Sequence, residues 1–310
     1  MPQTLTADAK GVYAIAATPF FADGSIDFGS IDTLVEFYLS HGVQGITVLG
    51  MMGEAQKLTG RESLAVAERF IRQAEGRVPL VVGASAPGFA SMAEFSKAVM
   101  DKGAAGIMVA PATYVRGDAA FYNYFEAVVS SIDPGTPVVV QDFPQATGVY
   151  MSPSVFVRLA DELPSIVMLK HEDCPGLNKI TTIRATAKRR TSVLVGNGAL
   201  YYVQELERGA DGAMTGFAYV EMLVQVQELY ARGECQQAED LFDAYLPLVR
   251  FEQQPGFGLA VRKEVLVRRG AIRCAAQREP AIPFSAADRQ QLDSLIDRLN
   301  RRLSQVQGPG

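Results

Sequence analysis

The sequence predicts a (β/α)8 barrel, a closed parallel sheet ringed by helices, followed by a helical extension. Two observations support this fold class. Short apolar runs alternate with longer amphipathic stretches from the N-terminus to about residue 233, and strict alternation of strands and helices is typical of a parallel sheet. Beyond that point the strand patterns stop and only helical ones remain. We therefore divide the 310 residues into a barrel over 1–233 and a three-helix extension over 234–310.

Eight segments have the length and apolar character of strands that are buried on both faces. The predicted strands are Tyr13–Ala17, Gly45–Leu49, Leu80–Ala84, Gly106–Ala110, Pro137–Gln141, Ile166–Lys170, Ser192–Gly196 and Gly212–Thr215. A helical pattern follows each strand. The predicted helices are Phe28–His41, Arg61–Glu75, Met92–Lys102, Ala119–Ser131, Pro153–Leu163, Leu177–Lys188, Leu200–Arg208 and Val220–Arg232. Eight such units in succession predict the TIM-barrel architecture.

The extension has three helical patterns and no strand pattern. They cover Gln236–Val249, Pro255–Arg269 and Ala286–Leu303, and we expect Gln305–Gly310 to form a loose tail. These helices cannot belong to the eightfold alternation. We expect them to pack on the barrel or on a neighbouring subunit.

The charge and hydropathy of the chain argue against two classes of partner. A net charge of −5 and a pI near 5.3 provide no cationic field for nucleic acid or for an anionic membrane surface. The N-terminal stretch lacks an apolar segment of signal-peptide length, and no apolar run approaches the ~20 residues that span a bilayer. We therefore expect a cytoplasmic protein that binds neither nucleic acid nor membrane.

The most informative residue is Lys170, which ends the apolar run Ile166–Leu169. Lysine side chains usually reach water, and the local sequence taken alone favours that reading. The chain has only eight lysines, however, and one at the end of a strand buried on both faces is unusual. Removal from water favours the neutral amine, which is the form that attacks a ketone carbonyl. Lys170 is therefore a candidate nucleophile.

The active sites of such barrels lie at the C-terminal ends of the strands. Among the predicted strand ends, Lys170 is the only amine. Because side chains alternate along a strand, Lys170 and Glu172 should share one face, and His171 should point to the other. The amine would then have a carboxylate beside it for proton transfer. We take Lys170 and Glu172 as the candidate catalytic residues.

Other strand ends supply candidates for substrate binding. The turn after the second strand has glycines on both sides of Met51 and Met52, and this leaves backbone N–H groups accessible to a substrate carboxylate. A tight turn without a ligand is an equally common reading. The full set of predicted substrate-binding residues is Gly50, Met51, Met52, Gln141, Asn197, Thr215 and Gly216.

The segment His171–Cys174 contains side chains that can each ligate a metal ion. Neighbours on a strand point to opposite faces, and the only other histidine, His41, falls at a predicted helix end. We expect no metal site.

Several of these motifs resemble those of the N-acetylneuraminate lyase and dihydrodipicolinate synthase superfamily. They are Thr18-Pro19-Phe20, Gly50-Met51-Met52-Gly53-Glu54, Phe143-Pro144 and the lysine that ends the sixth strand. The resemblance extends over essentially the whole chain. It implies that Lys170 forms a covalent imine with a small-molecule 2-keto acid, that no external cofactor is needed, and that the protein is a homo-oligomer, either a tetramer or a dimer.

The sequence departs from the family pattern in three places that matter for chemistry, at four residues. The usual Tyr-Asn-x-Pro is Gln141-Asp142-Phe143-Pro144, so the tyrosine that shuttles protons is missing. The usual Gly-Thr-Thr-Gly-Glu has Met51 and Met52 in place of its threonines. The arginine that the synthase uses for its semialdehyde substrate is Ala146. These departures argue against dihydrodipicolinate synthase activity and leave Glu172 as the ionisable group near the imine.

Loss of the tyrosine together with Lys170-His171-Glu172 resembles the branch of the family that dehydrates L-2-keto-3-deoxyarabonate. The resemblance implies a hydro-lyase of pentose catabolism that forms 2,5-dioxopentanoate and water. A class I aldolase that cleaves a related 2-keto-3-deoxy acid is the nearest alternative. A non-catalytic protein that binds a keto acid is a further one, although it would have no need of a buried amine.

Overall fold

The computed structural model describes residues 3–306 and has a closed barrel of parallel strands at its centre. The strands are β1 (Gly11–Ile15), β2 (Gly45–Val48), β3 (Leu80–Gly83), β4 (Gly106–Val109), β5 (Val138–Asp142), β6 (Ile166–His171), β7 (Ser192–Val195) and β8 (Gly212–Thr215). Each strand pairs with the next in the chain, and β8 pairs with β1. The predicted (β/α)8 barrel is therefore confirmed, with strand ends shifted by at most two residues.

Helices follow every strand and continue after the barrel. They are α1 (Phe28–Ser40), α2 (Gly60–Ala74), α3 (Phe89–Asp101), α4 (Gly117–Ser131), α5 (Pro144–Thr147), α6 (Pro153–Glu162), α7 (Leu177–Thr186), α8 (Tyr202–Glu207), α9 (Val220–Ala231), α10 (Cys235–Glu252), α11 (Gly258–Arg268) and α12 (Ala286–Val306). Local sequence fixes several of their starts. Thr59 and Glu62 form a reciprocal capping box at the start of α2, and Asp27 caps α1.

The pleat of the strands divides the apolar residues into two layers. Side chains that point inward, among them Met168, Leu194 and Met214, form a closed cluster inside the barrel. The alternate side chains along each strand point outward and pack against the helices. Because the side-chain period is two, Gln141 and Lys170 continue the inward-facing rows of β5 and β6 above this cluster. The barrel interior is thus a packed floor beneath the candidate site.

The extension consists of α10, α11 and α12, with α10 packed on α9 and α12 packed on α10. Helix α12 continues to Val306, so Gln305 and Val306 are helical and the prediction of a loose tail is wrong for them. Residues 307–310 of that predicted tail lie outside the described residues. The division of the chain at residue 233 stays a prediction. Within residues 3–306, no helix is both long enough and apolar enough to span a membrane.

Candidate active site

Lys170 and Glu172 meet on the inner face at the C-terminal end of β6. The Nζ atom of Lys170 lies 2.9 Å from Oε2 of Glu172, and the two residues are only 5% and 6% exposed. Gln141, which is paired with Lys170 in the sheet, donates from Nε2 to the same Oε2 at 2.7 Å. An amine, a carboxylate and an amide thus form one buried chain of polar contacts. The carboxylate is within proton-transfer distance of the amine.

The end of β7 holds Glu172 from the side. A Cβ at Gly196 would stand 2.3 Å from Cγ of Glu172, so only glycine leaves room for the glutamate side chain. Next to it, Asn197 has a φ of 51° and donates from Nδ2 to the carbonyl oxygen of Glu172 at 2.6 Å. Asn197 therefore supports the backbone of Glu172. The sequence predicts Asn197 as a substrate-binding residue, whereas the steric role of Gly196 has no local signal in the sequence.

The turn after β2 presents backbone N–H groups at the same end of the barrel. Met51–Gly53 forms a single 3-10 turn, and the N–H groups of Met51 and Met52 donate to no protein acceptor among residues 3–306. The hydroxyl of Thr18 donates to the carbonyl of Gly53 at 2.6 Å and holds the turn against the end of β1. Met52 packs against the inner apolar cluster. Such a turn can accept an anion through its main chain.

Glu54 closes this turn but faces away from the amine. Its carboxylate is buried and accepts from Lys263 of α11 at 2.6 Å, from Lys57 at 2.9 Å and from the N–H of Arg278 at 3.0 Å. The Lys263 ammonium also lies 4.6 Å from the ring centre of Phe20. Burial lowers the pKa of Lys263, and the adjacent Glu54 opposes this shift. Two residues of the sequence motifs, Phe20 and Glu54, thus anchor the extension to the barrel.

The end of β8 brings a second residue of the extension to the barrel. Met214 faces the inner cluster, so Thr215, one residue later, lies on the outer side and is buried there. A Cβ at Gly216 would stand 2.3 Å from Nη1 of Arg262 in α11. Arg262 donates from Nε to Glu252 at 2.6 Å, while its Nη1 has no partner among the described residues. Sequence reasoning confined to the strand ends could not find this arginine.

His171 points away from the amine, as the alternation predicts. It is completely buried on the outer side of β6, where Nδ1 lies 3.5 Å from Oδ2 of Asp142. Lys179 and Asp173 lie beside this pair. Within residues 3–306 no group of three His, Cys, Asp or Glu side chains is placed to hold a metal ion.

Comparison with known proteins identifies relatives of nearly full length. Residues 8–299 match the Dihydrodipicolinate synthetase family. A crystal structure of a dihydrodipicolinate synthase from Rhodopseudomonas palustris is 47% identical and superposes with a TM-score of 0.93, over 96% of this chain and 99% of that one.

Two further relatives are more distant. An L-2-keto-3-deoxyarabonate dehydratase from Azospirillum brasilense is 26% identical over 305 residues, which are 97% of each chain. A prophage protein of the dihydrodipicolinic acid synthase family from Escherichia coli K12, solved in complex with pyruvate, is 26% identical with a TM-score of 0.85, over 94% of this chain and 98% of that one.

Proposed function

The chain belongs to the dihydrodipicolinate synthetase family, and we propose that within this family of lyases and synthases it is a Schiff-base dehydratase of a 2-keto-3-deoxy sugar acid. The substrate that the proposal names is L-2-keto-3-deoxyarabonate, and the products are 2,5-dioxopentanoate and water. The observation that carries the proposal is the buried contact of 2.9 Å between Lys170 Nζ and Glu172 Oε2. This contact supports the proposal because Glu172 is an ionisable group beside the amine and the family's tyrosine is missing.

The proposed reaction begins at the substrate's C2 ketone. Glu172 takes a proton from Lys170, whose amine attacks C2. Glu172 then returns this proton to the C2 hydroxyl, which leaves as water and gives the protonated imine. Glu172 then removes a proton from C3 to form an enamine and returns that proton to the C4 hydroxyl, which leaves as water. Loss of a proton from C5 and gain of one at C3 move the new double bond to C4–C5, and the resulting C5 enol takes a proton at C4 and loses its hydroxyl proton to become the aldehyde. Hydrolysis of the imine then releases 2,5-dioxopentanoate and frees Lys170. No external cofactor enters these steps.

Gln141 supports the assignment of proton transfer to Glu172, because Gln141 has no acid–base function of its own. Its amide neither gives nor takes a proton near neutral pH, so it cannot replace the tyrosine as a shuttle. It donates at 2.7 Å to Glu172 and leaves the other carboxylate oxygen of that residue available. In our proposal Gln141 orients Glu172, and Glu172 moves the proton. The substrate carboxylate would bind the free N–H groups of Met51 and Met52 in the turn that begins at Gly50.

Two other reactions compete with dehydration. Synthase activity is disfavoured because Ala146 has no group that could bind the carboxylate of a semialdehyde. Retro-aldol cleavage would use the same imine, with Glu172 acting as a base on the C4 hydroxyl. A keto-acid binding protein without catalysis would have no use for the Lys170–Glu172 pair.

The products decide between these reactions. The protein is incubated with several 2-keto-3-deoxy sugar acids, and the products are identified by mass. A product that keeps every carbon and has lost one water supports the dehydratase. Release of pyruvate would indicate an aldolase, and condensation of pyruvate with a semialdehyde would indicate a synthase. Borohydride with pyruvate should also leave a covalent adduct on Lys170, and Lys170→Ala should abolish it.

Assembly and location are part of the same proposal. We propose a homo-oligomer that works in the cytoplasm as an enzyme of pentose catabolism, with the small-molecule keto acid as its partner. Light scattering of the purified protein tests the assembly, because a mass of 33.5 kDa would show a monomer.

A further inference from the structure

A buried ion cluster lies on the outer side of the barrel, directly behind the candidate site. Lys179, in the first turn of α7, places Nζ 2.9 Å from Oδ2 of Asp142 and 2.6 Å from Oδ2 of Asp173. The lysine is 8% exposed and Asp142 is 1% exposed. Because removing one partner of such a cluster leaves a buried charge uncompensated, these contacts hold their elements firmly.

Both carboxylates are covalent neighbours of site residues. Asp142 follows Gln141 at the end of β5, and Asp173 follows Glu172 just past the end of β6. Lys179 therefore links the ends of β5 and β6 on the outer side of the barrel, whereas the hydrogen bond between Gln141 and Glu172 links them on the inner side. The backbone lies between these two layers, and the N–H of Glu172 donates to the carbonyl of Asp142 at 2.8 Å.

His171 cannot replace Lys179 as the partner of Asp142. His171 is wedged behind the site, where a Cβ at Gly176 would stand 2.2 Å from its Nε2. Neither of its ring nitrogens has a hydrogen-bond partner among the described residues, and Nδ1 is 3.5 Å from Asp142. Lys179 is thus the group that neutralises Asp142 at hydrogen-bond distance. Without it, Asp142 and Asp173 would repel each other and the ends of β5 and β6 could separate.

We propose that Lys179 is a positioning residue that acts through Glu172. By clamping Asp142 to Asp173, it fixes the end of β6 so that the Glu172 carboxylate stays on Lys170. The inference rests on the proposed function of Glu172. A misplacement of about 1 Å in a catalytic group can cost on the order of 100-fold in rate, so a clamp that never touches substrate can control turnover.

The test compares Lys179→Met with Arg184→Met. Arg184 lies on the same helix, α7, and pairs with Asp211 just before β8, so its loss removes an ion pair from the same helix but far from the site. For Lys179→Met we expect kcat to fall roughly 10- to 100-fold with KM within about twofold, and the borohydride adduct on Lys170 to persist. Lys179→Arg should restore part of the rate, and Arg184→Met should keep kcat within about twofold.

The decisive comparison repeats both substitutions in a Glu172→Gln background. If Lys179 acts through Glu172, Lys179→Met causes no further loss of turnover there. Equal losses in both backgrounds, or an equal loss of kcat from Arg184→Met, would overturn the proposal. If Lys179→Met does not fold, Asp173→Asn, which removes only the outer half of the clamp, takes its place with the same expectations.

Hydrogen exchange separates this inference from the proposed function. The backbone amide of Glu172 should exchange faster in Lys179→Met than in the wild type, and no faster in Arg184→Met. Unchanged exchange would refute the clamp whatever reaction the enzyme performs. Failure of the proposed function would instead appear in the wild type, as absence of a Lys170 adduct or of water loss.

Discussion

Gly196 leaves room for the side chain of Glu172 as no other residue type would, because a Cβ at position 196 would stand 2.3 Å from Cγ of the glutamate. A methyl group there would push the carboxylate away from Lys170. We expect Gly196→Ala to keep the borohydride adduct but to lower kcat at least about 10-fold, since the imine forms while proton transfer is impaired. Gly60→Ala is the matched control because nothing lies within 4 Å of the added carbon. Wild-type turnover in Gly196→Ala would show that the carboxylate's position does not matter.

Glu172→Gln removes the proton-transfer group while keeping nearly the same shape. A positioned general acid–base contributes ~10²–10⁴-fold in rate, and we expect a loss of kcat in that range. Reduction with borohydride should still trap pyruvate on Lys170, because the amine is intact. Turnover close to that of the wild type would mean that the proton travels by another route, with an ordered water held by Gln141 or Asn197 as the next candidate.

Met52→Leu tests whether the substrate carboxylate binds the main chain. The N–H groups are unchanged by this substitution, so KM should stay within about twofold of the wild-type value. Thr18→Val is the counterpart, because it removes the hydroxyl that holds the carbonyl of Gly53 at 2.6 Å. Here KM should rise several-fold as the turn loosens. A bound keto acid whose carboxylate lay away from residues 50–54 would contradict this role of the turn.

Glu205 on α8 should make stability depend on pH. It is buried and forms no ion pair among the described residues, and burial raises its pKa to about 8. From about pH 4.5 to about pH 8 the folded state keeps a proton that the unfolded state has lost, so this group lowers the stability as pH rises through that window. Each pKa unit corresponds to ~1.4 kcal/mol.

Urea unfolding of Glu205→Gln at pH 5 and pH 9 measures this contribution. At pH 9 the variant should be more stable than the wild type by a few kcal/mol, and the difference should shrink or vanish at pH 5. Glu207→Gln, an exposed position on the same helix, is the control and should change neither value by more than about 0.5 kcal/mol. Parallel pH profiles for Glu205→Gln and the wild type would rule the effect out.

The sequence predicts the barrel well because its strands are apolar runs between regular turns. Its errors lie at the ends. β1 covers Gly11–Ile15 and not Tyr13–Ala17, since the apolar run continues after the backbone has left the sheet. An apolar sequence indicates only that residues are buried. Ala16 and Ala17 are still buried although the strand ends at Ile15.

The site is predictable only as far as local periodicity reaches. A period of two places Lys170 and Glu172 on one face and His171 on the other, as the structure shows. The approach of Lys179 to Asp142 and of Arg262 to Gly216 brings together residues that are distant in sequence, and each cation taken alone resembles a solvated charge on a helix. The steric demand at Gly196 likewise exists only once β6 and β7 lie side by side.

The bond between Glu54 and Lys263 has a consequence for any attempt to re-engineer this enzyme. Transplanting residues 50–54 from a relative would install a new binding turn, but a graft without the glutamate would leave a fully buried ammonium facing little more than the carbonyl of Ala276. In the opposite exchange, a foreign α11 that lacks Lys263 would leave the buried carboxylate of Glu54 without this partner. Turn and extension therefore form one exchangeable module, and a viable chimera must inherit both halves from the same parent.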